Sequence, residues 1–289
     1  MRSPIIWLGS KGSLCAKLRP YLAAPHRTYC EVFGGGASLL LDRTTPAPVE
    51  IYNDLDGRLT GLFRVLADPD LFAAFERKVQ ATPYAKLTRD AAQCLAKCPA
   101  VDEVSRAAAF FVLCRQSFGG MVNKSSWGSS VAATTAGQAQ STAAWMNTIR
   151  RLPEIHRRLM KVQIENAHFR NVIPHYDRPE TLFYLDPPYL PETRRAGGYD
   201  VEMTEADHAE LLELIGGIDG LALVSGYPSR LYDDALAGWR RDEFRVTCRA
   251  MGNTRAIGNV GAGGCAGETF KRTEVVWINP RLAKLLGRQ

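Results

Sequence analysis

No apolar run in the 289-residue chain comes near the roughly 18 residues that a membrane-spanning helix needs, so no helical span is expected. The opening residues, Met1-Arg2-Ser3-Pro4-Ile5-Ile6-Trp7, lack the long apolar centre of a secretion signal, and a cytoplasmic protein is expected. Seven cysteines form an odd, irregularly spaced set, which argues against a disulfide framework. Cys94 and Cys98, four apart, suit one helix face rather than a zinc knuckle, so reduced thiols and no metal are expected. Internal repeats are absent. The glycine cluster Gly34-Gly35-Gly36 does not complete the dinucleotide pattern G-x-G-x-x-G, and no lysine follows it as in a P-loop. Nicotinamide and nucleoside triphosphate ligands are therefore disfavoured.

What is present points to an ordinary globular core: 46% of residues are apolar, in a length that fits one large domain or two modest ones. A formal charge of +6 favours a polyanionic partner. The most informative stretch is Thr181-Leu182-Phe183-Tyr184-Leu185-Asp186-Pro187-Pro188-Tyr189. Its apolar half reads as a buried strand that stops at a double proline, because each proline fixes φ and removes a donor. The Asp186 carboxylate and the Pro187 carbonyl are then two acceptors at a strand's carboxyl end, where open α/β sheets bind ligands. With the flat face of Tyr189 beside them, they suit a planar ligand carrying an exocyclic amine.

A second strand-and-turn unit precedes it. Thr28-Tyr29-Cys30-Glu31-Val32-Phe33 reads as a strand, followed by the glycine turn and the helix-starting Leu39-Leu40-Leu41, an arrangement that brings backbone N–H groups close to a cofactor. Val49-Glu50-Ile51-Tyr52-Asn53-Asp54 is a further strand ending in acid, where a ribose diol is commonly held. Asp54 is the preferred diol ligand, against its reading as the cap of a helix over 55–66, and Asp56 reads as first-turn helix charge. Helical spacing then prevails from 57 to 161, with Pro153 expected to break or kink the last helix. Within it, residues 115–140 read as a polar loop in which Arg115, Phe118, Asn123, Lys124 and Trp127 mix hydrogen-bonding and stacking groups suited to nucleic acid. Strand character resumes at 161–166. Residues 191–201 are polar and basic, with Arg194 and Arg195 beside the proposed site. Thr204 and Asp207 signal a helix start, and His208 reads as a packing residue. Strands at 221–227, 243–248 and 274–278, with a helix near 229–236 and a glycine-rich loop at 251–269, complete the chain. Strands and helices alternate on both sides of a helical insertion, which predicts a doubly wound α/β sheet.

Taken together, Trp7-Leu8-Gly9-Ser10-Lys11, Phe33-Gly34-Gly35-Gly36, Asn53-Asp54, Asp186-Pro187-Pro188-Tyr189 and Ser225-Gly226-Tyr227 resemble the Dam-like, D12 class family of DNA adenine N6-methyltransferases, in the order of the alpha subclass. Ser10 stands where that family usually has a second glycine. The resemblance implies a Rossmann-like methyltransferase sheet with a helical target-recognition insertion, the catalytic part being residues 1–60 and 161–289 and the insertion 61–160. It implies S-adenosylmethionine as methyl donor, double-stranded DNA as partner, and a monomer. Trp7, Lys11, Phe33, Gly34, Gly35, Gly36, Asp54, Phe169 (with its neighbour His168) and Asp186 would line the cofactor site. Asp186, Pro187, Pro188, Tyr189 and Lys11 would carry catalysis, with Tyr189 stacked on a flipped adenine and direct in-line transfer. Cytosine N4 or an RNA amine would fit the same acceptors, and a relative that binds DNA without catalysis is the alternative of a different class.

Overall fold

The computed structural model describes residues 1–120, 122, 127–190, 202–248 and 270–287. Seven strands form one sheet: β1 (Thr28–Glu31), β2 (Val49–Asn53), β3 (Gln163–Glu165), β4 (Thr181–Leu185), β5 (Leu221–Gly226), β6 (Arg240–Cys248) and β7 (Phe270–Ile278). Their spatial order is β3-β2-β1-β4-β5-β7-β6. Neighbours pair in parallel from β3 through β5, whereas β7 runs antiparallel to both β5 and β6. The order reverses between β1 and β4, and a crevice opens beyond the carboxyl ends of strands at such a reversal.

The helices are α1 (Cys15–Leu18), α2 (Ser38–Asp42), α3 (Gly57–Ala67), α4 (Pro69–Gln80), α5 (Lys86–Leu95), α6 (Glu103–Gln116), α7 (Gln140–Leu159), α8 (Phe169–Tyr176), α9 (Glu205–Gly216), α10 (Arg230–Ala235) and α11 (Pro280–Leu286). The two-residue alternation of the strands divides them between two cores. Leu182 and Tyr184 of β4 face the side covered by α2, α3, α6, α7 and α11, while Phe183 and Leu185 face α8, α9 and α10. Both faces being covered, β4 and β5 are buried along their whole length, as a parallel central strand must be. The first core runs without a break from the sheet into the helices of 57–159, through Tyr52, Phe63, Phe110, Phe111 and Trp145.

Several expectations are corrected. α7 continues through Pro153, because Ile149, Leu152 and Ile155 are buried on either side of it and their packing outweighs the lost backbone bond. Helix α8 was not expected; it begins at Phe169, is capped by His168 and contains Pro174. Strand β7 begins four residues earlier than 274, β6 three earlier than 243, and α11 follows β7. Cys94 ends within α5, but Cys98 lies past the end of that helix. The cap of α3 is Asp56, whose carboxylate accepts from the Arg58 N–H, so Asp54 is left outside the helix. Thr204 and Asp207 form the expected capping box of α9. His208 is buried, with Nδ1 2.7 Å from the Tyr232 hydroxyl.

Candidate active site

A cleft of about 1030 Å³, open to solvent, lies at the reversal of strand order. The glycine bend after β1 forms one wall and Asp186, immediately after β4, the other. Trp7, Lys11, Phe33, Gly34, Gly35, Gly36, Asp54, His168, Phe169, Asp186 and Pro188 all line it. Residues spread over the first 190 positions are thus brought to one place.

The bend is built from conformations that exclude most side chains. Gly35 has φ +49°, and a Cβ on Gly34 would stand 2.2 Å from the Tyr52 ring. The Tyr52 hydroxyl donates to the Gly35 carbonyl at 2.7 Å, and the Gly34 N–H donates to the Asn53 carbonyl at 2.7 Å, so the bend is pinned to β2. Trp7 lies against Gly35 and Gly36 and meets Phe110 edge to face, with centroids 5.9 Å apart. Phe33 and Phe169 form an aromatic pair at 6.0 Å.

Asp54 turns its carboxylate back over the bend. Oδ2 accepts from the Gly35 N–H and Oδ1 from the Asp56 N–H, both at 2.8 Å. Burial pushes its pKa up to about 6, against the pull of those N–H groups. Glu31, at the end of β1, is a cleft residue that sequence reasoning missed. Burial raises its pKa to about 8, with the Tyr29 hydroxyl donating to it at 2.8 Å in opposition.

Asp186 is 15% exposed and heads a network. Lys11 Nζ donates to its Oδ1 at 2.6 Å, and the Ser225 hydroxyl donates to the same oxygen at 3.0 Å. The Tyr189 hydroxyl is a further hydrogen-bonding neighbour of the carboxylate. Burial raises the Asp186 pKa, and the Lys11 ammonium opposes that rise. Lys11 reaches this point from a tight turn at Lys11–Ser13; Gly9 before it has φ +78°, while Ser10 sits at an ordinary φ of −53° and so leaves the lysine in place. Lys11 also donates to the Tyr189 hydroxyl at 2.5 Å and lies 3.3 Å from Glu274. The Tyr189 ring leans on Tyr227, centroids 4.3 Å apart, beside the main cleft, where Pro187 joins it in a small adjoining cavity.

Of the residues expected to contact nucleic acid, Arg115, Phe118 and Trp127 are described, and none of the three lines the cleft. Arg115, at the end of α6, is half-buried and donates to the Ala144 carbonyl of α7 at 3.2 Å. Phe118 is 40% exposed on a short turn. Trp127 packs on Tyr84, centroids 4.9 Å apart. Asn123, Lys124, Arg194 and Arg195 fall outside the described residues. Among those described, no helix is long and apolar enough to cross a membrane, and no group of three or more His, Cys, Asp and Glu could hold a metal ion. Cys15, Cys30, Cys94, Cys98 and Cys114 are unbridged, and burial raises the thiol pKa of Cys15, Cys30 and Cys114, which keeps them protonated.

A mostly parallel seven-stranded sheet with β7 reversed between β5 and β6, opening a glycine-walled cleft at the β1/β4 reversal, defines a Rossmann-like methyltransferase fold. Residues 7–219 match the family profile of the D12 class N6 adenine-specific DNA methyltransferases, and the chain belongs to that enzyme family. A comparison with curated proteins gave no match.

Proposed function

We propose that the chain methylates the N6 amine of adenine in double-stranded DNA, with S-adenosylmethionine as donor and the target base turned out of the helix into the cleft. The residues present fit such a donor. The cleft is aromatic at Phe33 and Phe169 and carries the carboxylates of Asp54 and Asp186, as a cationic sulfonium with an adenosine moiety requires. Asp54 would hold the ribose hydroxyls with its remaining lone pairs, the bend at Gly34–Gly36 and Trp7 would enclose the methionine part, and Phe33, His168 and Phe169 would flank the adenine ring. When bound, the donor supplies an electrophilic methyl carbon.

The chain's own part is positional. A duplex base cannot bring its amine into a cleft of this depth, so it must be extruded, at a cost of a few kcal/mol. Asp186 Oδ2 and the Pro187 carbonyl are the two acceptors for the N6 hydrogens. Accepting both draws the nitrogen toward a tetrahedral shape with a usable lone pair and favours the positive charge that develops on it. Lys11 and Ser225 hold Oδ1 and so fix which oxygen meets the amine. Tyr189 lies beside these acceptors as the stacking ring for the base. No covalent enzyme intermediate is needed, and transfer is direct. Phe118 and Trp127, with Arg115, Asn123, Lys124, Arg194 and Arg195, would contact DNA around the cleft, residues 61–160 forming the target-recognition part. The chain would act as a monomer in the cytoplasm of a bacterial or phage-infected cell.

The observation that carries this reading is the Asp186 carboxylate, held at Oδ1 by Lys11 and Ser225, across from the glycine bend. Its test is transfer of labelled methyl groups from S-adenosylmethionine to duplex DNA by the purified chain, followed by hydrolysis to nucleosides. Label in N6-methyladenine supports it; label in N4-methylcytosine, or in RNA alone, replaces it with another amine substrate.

A further inference from the structure

We propose that Glu274 on β7 is a positioning residue that sets the state of the Asp186 carboxylate by holding Lys11 and Tyr189 around it. The inference rests on the reading of Asp186 as the amine acceptor. Glu274 lies beyond the segment that matches the family profile, and it is 3% exposed. Its placement follows from the reversed strand. β7 pairs Val275 with Gly226 at the carboxyl end of β5, so the residue before it on β7, Glu274, arrives beside the Asp186 turn from the opposite chain direction.

A buried carboxylate is costly unless it is paired and hydrogen-bonded. Glu274 has both partners: the Tyr189 hydroxyl donates to Oε1 at 2.6 Å, and Lys11 Nζ stands 3.3 Å from the same oxygen. Lys11 is in turn 2.6 Å from Asp186. One ammonium therefore faces two buried carboxylates, leaving an excess of one negative charge when both are ionised. The consequences are specific. A lysine on a flexible four-carbon stem, facing Asp186 alone, could form a tighter pair and swing toward the second oxygen, competing with the amine. Shared with Glu274, it stays on Oδ1, and Asp186 keeps enough basicity to accept the N6 hydrogens. The Tyr189 ring, bonded through its hydroxyl to Lys11 and Glu274, is held at one angle beside the acceptors. The surplus negative charge also matches a nitrogen that becomes positive during transfer.

The test uses the full chain with Glu274→Gln and Glu274→Asp. The glutamine variant keeps the shape and removes the charge. Its turnover on duplex DNA should fall about 10-fold or more while the cofactor dissociation constant stays within about threefold. Its acidic limb of turnover against pH should move to lower pH, because Asp186 is then left with Lys11 and no neighbouring carboxylate. Glu274→Asp keeps the charge and should hold the acidic limb at its wild-type position with part of the turnover restored. Turnover of Glu274→Gln within twofold of wild type overturns the proposal. So does a parallel loss of activity and melting temperature in both variants with an unmoved limb, which marks a structural role only. A wild-type chain that methylates no adenine instead overturns the reading of the site, and this inference with it.

Discussion

Lys11 Nζ stands 2.6 Å from Asp186 Oδ1, although 175 residues separate them in sequence. The contact joins the first tight turn of the chain to the end of the fourth strand, and it fixes one carboxylate oxygen. Family membership establishes the enzyme class; under the proposed mechanism this contact orients the Asp186 carboxylate.

Replacing Lys11 by Met removes the cation that opposes burial at Asp186. The carboxyl pKa then climbs further, so the acidic limb of turnover moves to higher pH, the reverse of the direction expected for Glu274→Gln. Turnover near neutral pH should fall by on the order of 100-fold, the scale seen when one preorganised donor is lost. Single-turnover rates across pH 5 to 9 read both effects, and an unmoved limb contradicts the assignment.

Asp54 offers a second titration. Its pKa of about 6 lies above the ordinary carboxylate value, so the proposed acceptor of the ribose hydroxyls protonates as pH falls through that range. Cofactor affinity should be steady above pH about 7 and weaken progressively below 6. Asp54→Asn should bind about 10- to 100-fold more weakly, the loss of one or two hydrogen bonds to a charged acceptor, and show no such pH dependence. Calorimetric titration of the cofactor at several pH values decides it.

Glu31 bears on stability. Its folded pKa of about 8 exceeds the ordinary glutamate value of 4.5, so the fold binds the proton more tightly than the unfolded chain does. Its contribution is fully present below about pH 4.5 and is lost as pH rises toward 8. Glu31→Gln removes that dependence, so the variant's stability relative to wild type should rise between pH 5 and pH 9. Denaturant unfolding at the two pH values measures it; a constant difference contradicts the assigned burial.

How much of this was readable beforehand depends on how local each signal is. The glycine bend and Asp186-Pro187-Pro188-Tyr189 were legible because each is a strand end followed by residues that cannot continue a strand. Asp54 was separated from a helix cap only by position, and the structure settles the cap on Asp56. Glu31 and Glu274 were not singled out: each sits within an apolar strand pattern, and its role depends on contacts that sequence periodicity does not carry. For Glu274 those contacts are made across a reversed strand, by Lys11 and Tyr189. Helix α8 was missed because Pro174 interrupts a short run. Pro153 misled in the other direction, since tertiary packing on Leu152 and Ile155 overrides its local effect.

Gly34 tests the bend itself. A Cβ there would meet the fully buried Tyr52 ring, whose hydroxyl is also committed to Gly35. Gly34→Ala should destabilise the chain by about 1–3 kcal/mol, the usual cost of overpacking. Urea unfolding with an unchanged midpoint would show that the ring yields freely.

The most direct test of the central claim is the nucleoside content of DNA from cells expressing the wild-type chain or Asp186→Ala. The account predicts N6-methyladenine with the wild type and none with the variant, while the purified variant still binds part of its cofactor. Equal N6-methyladenine in both would contradict it, because the amine would then be held by some group other than the Asp186 carboxylate.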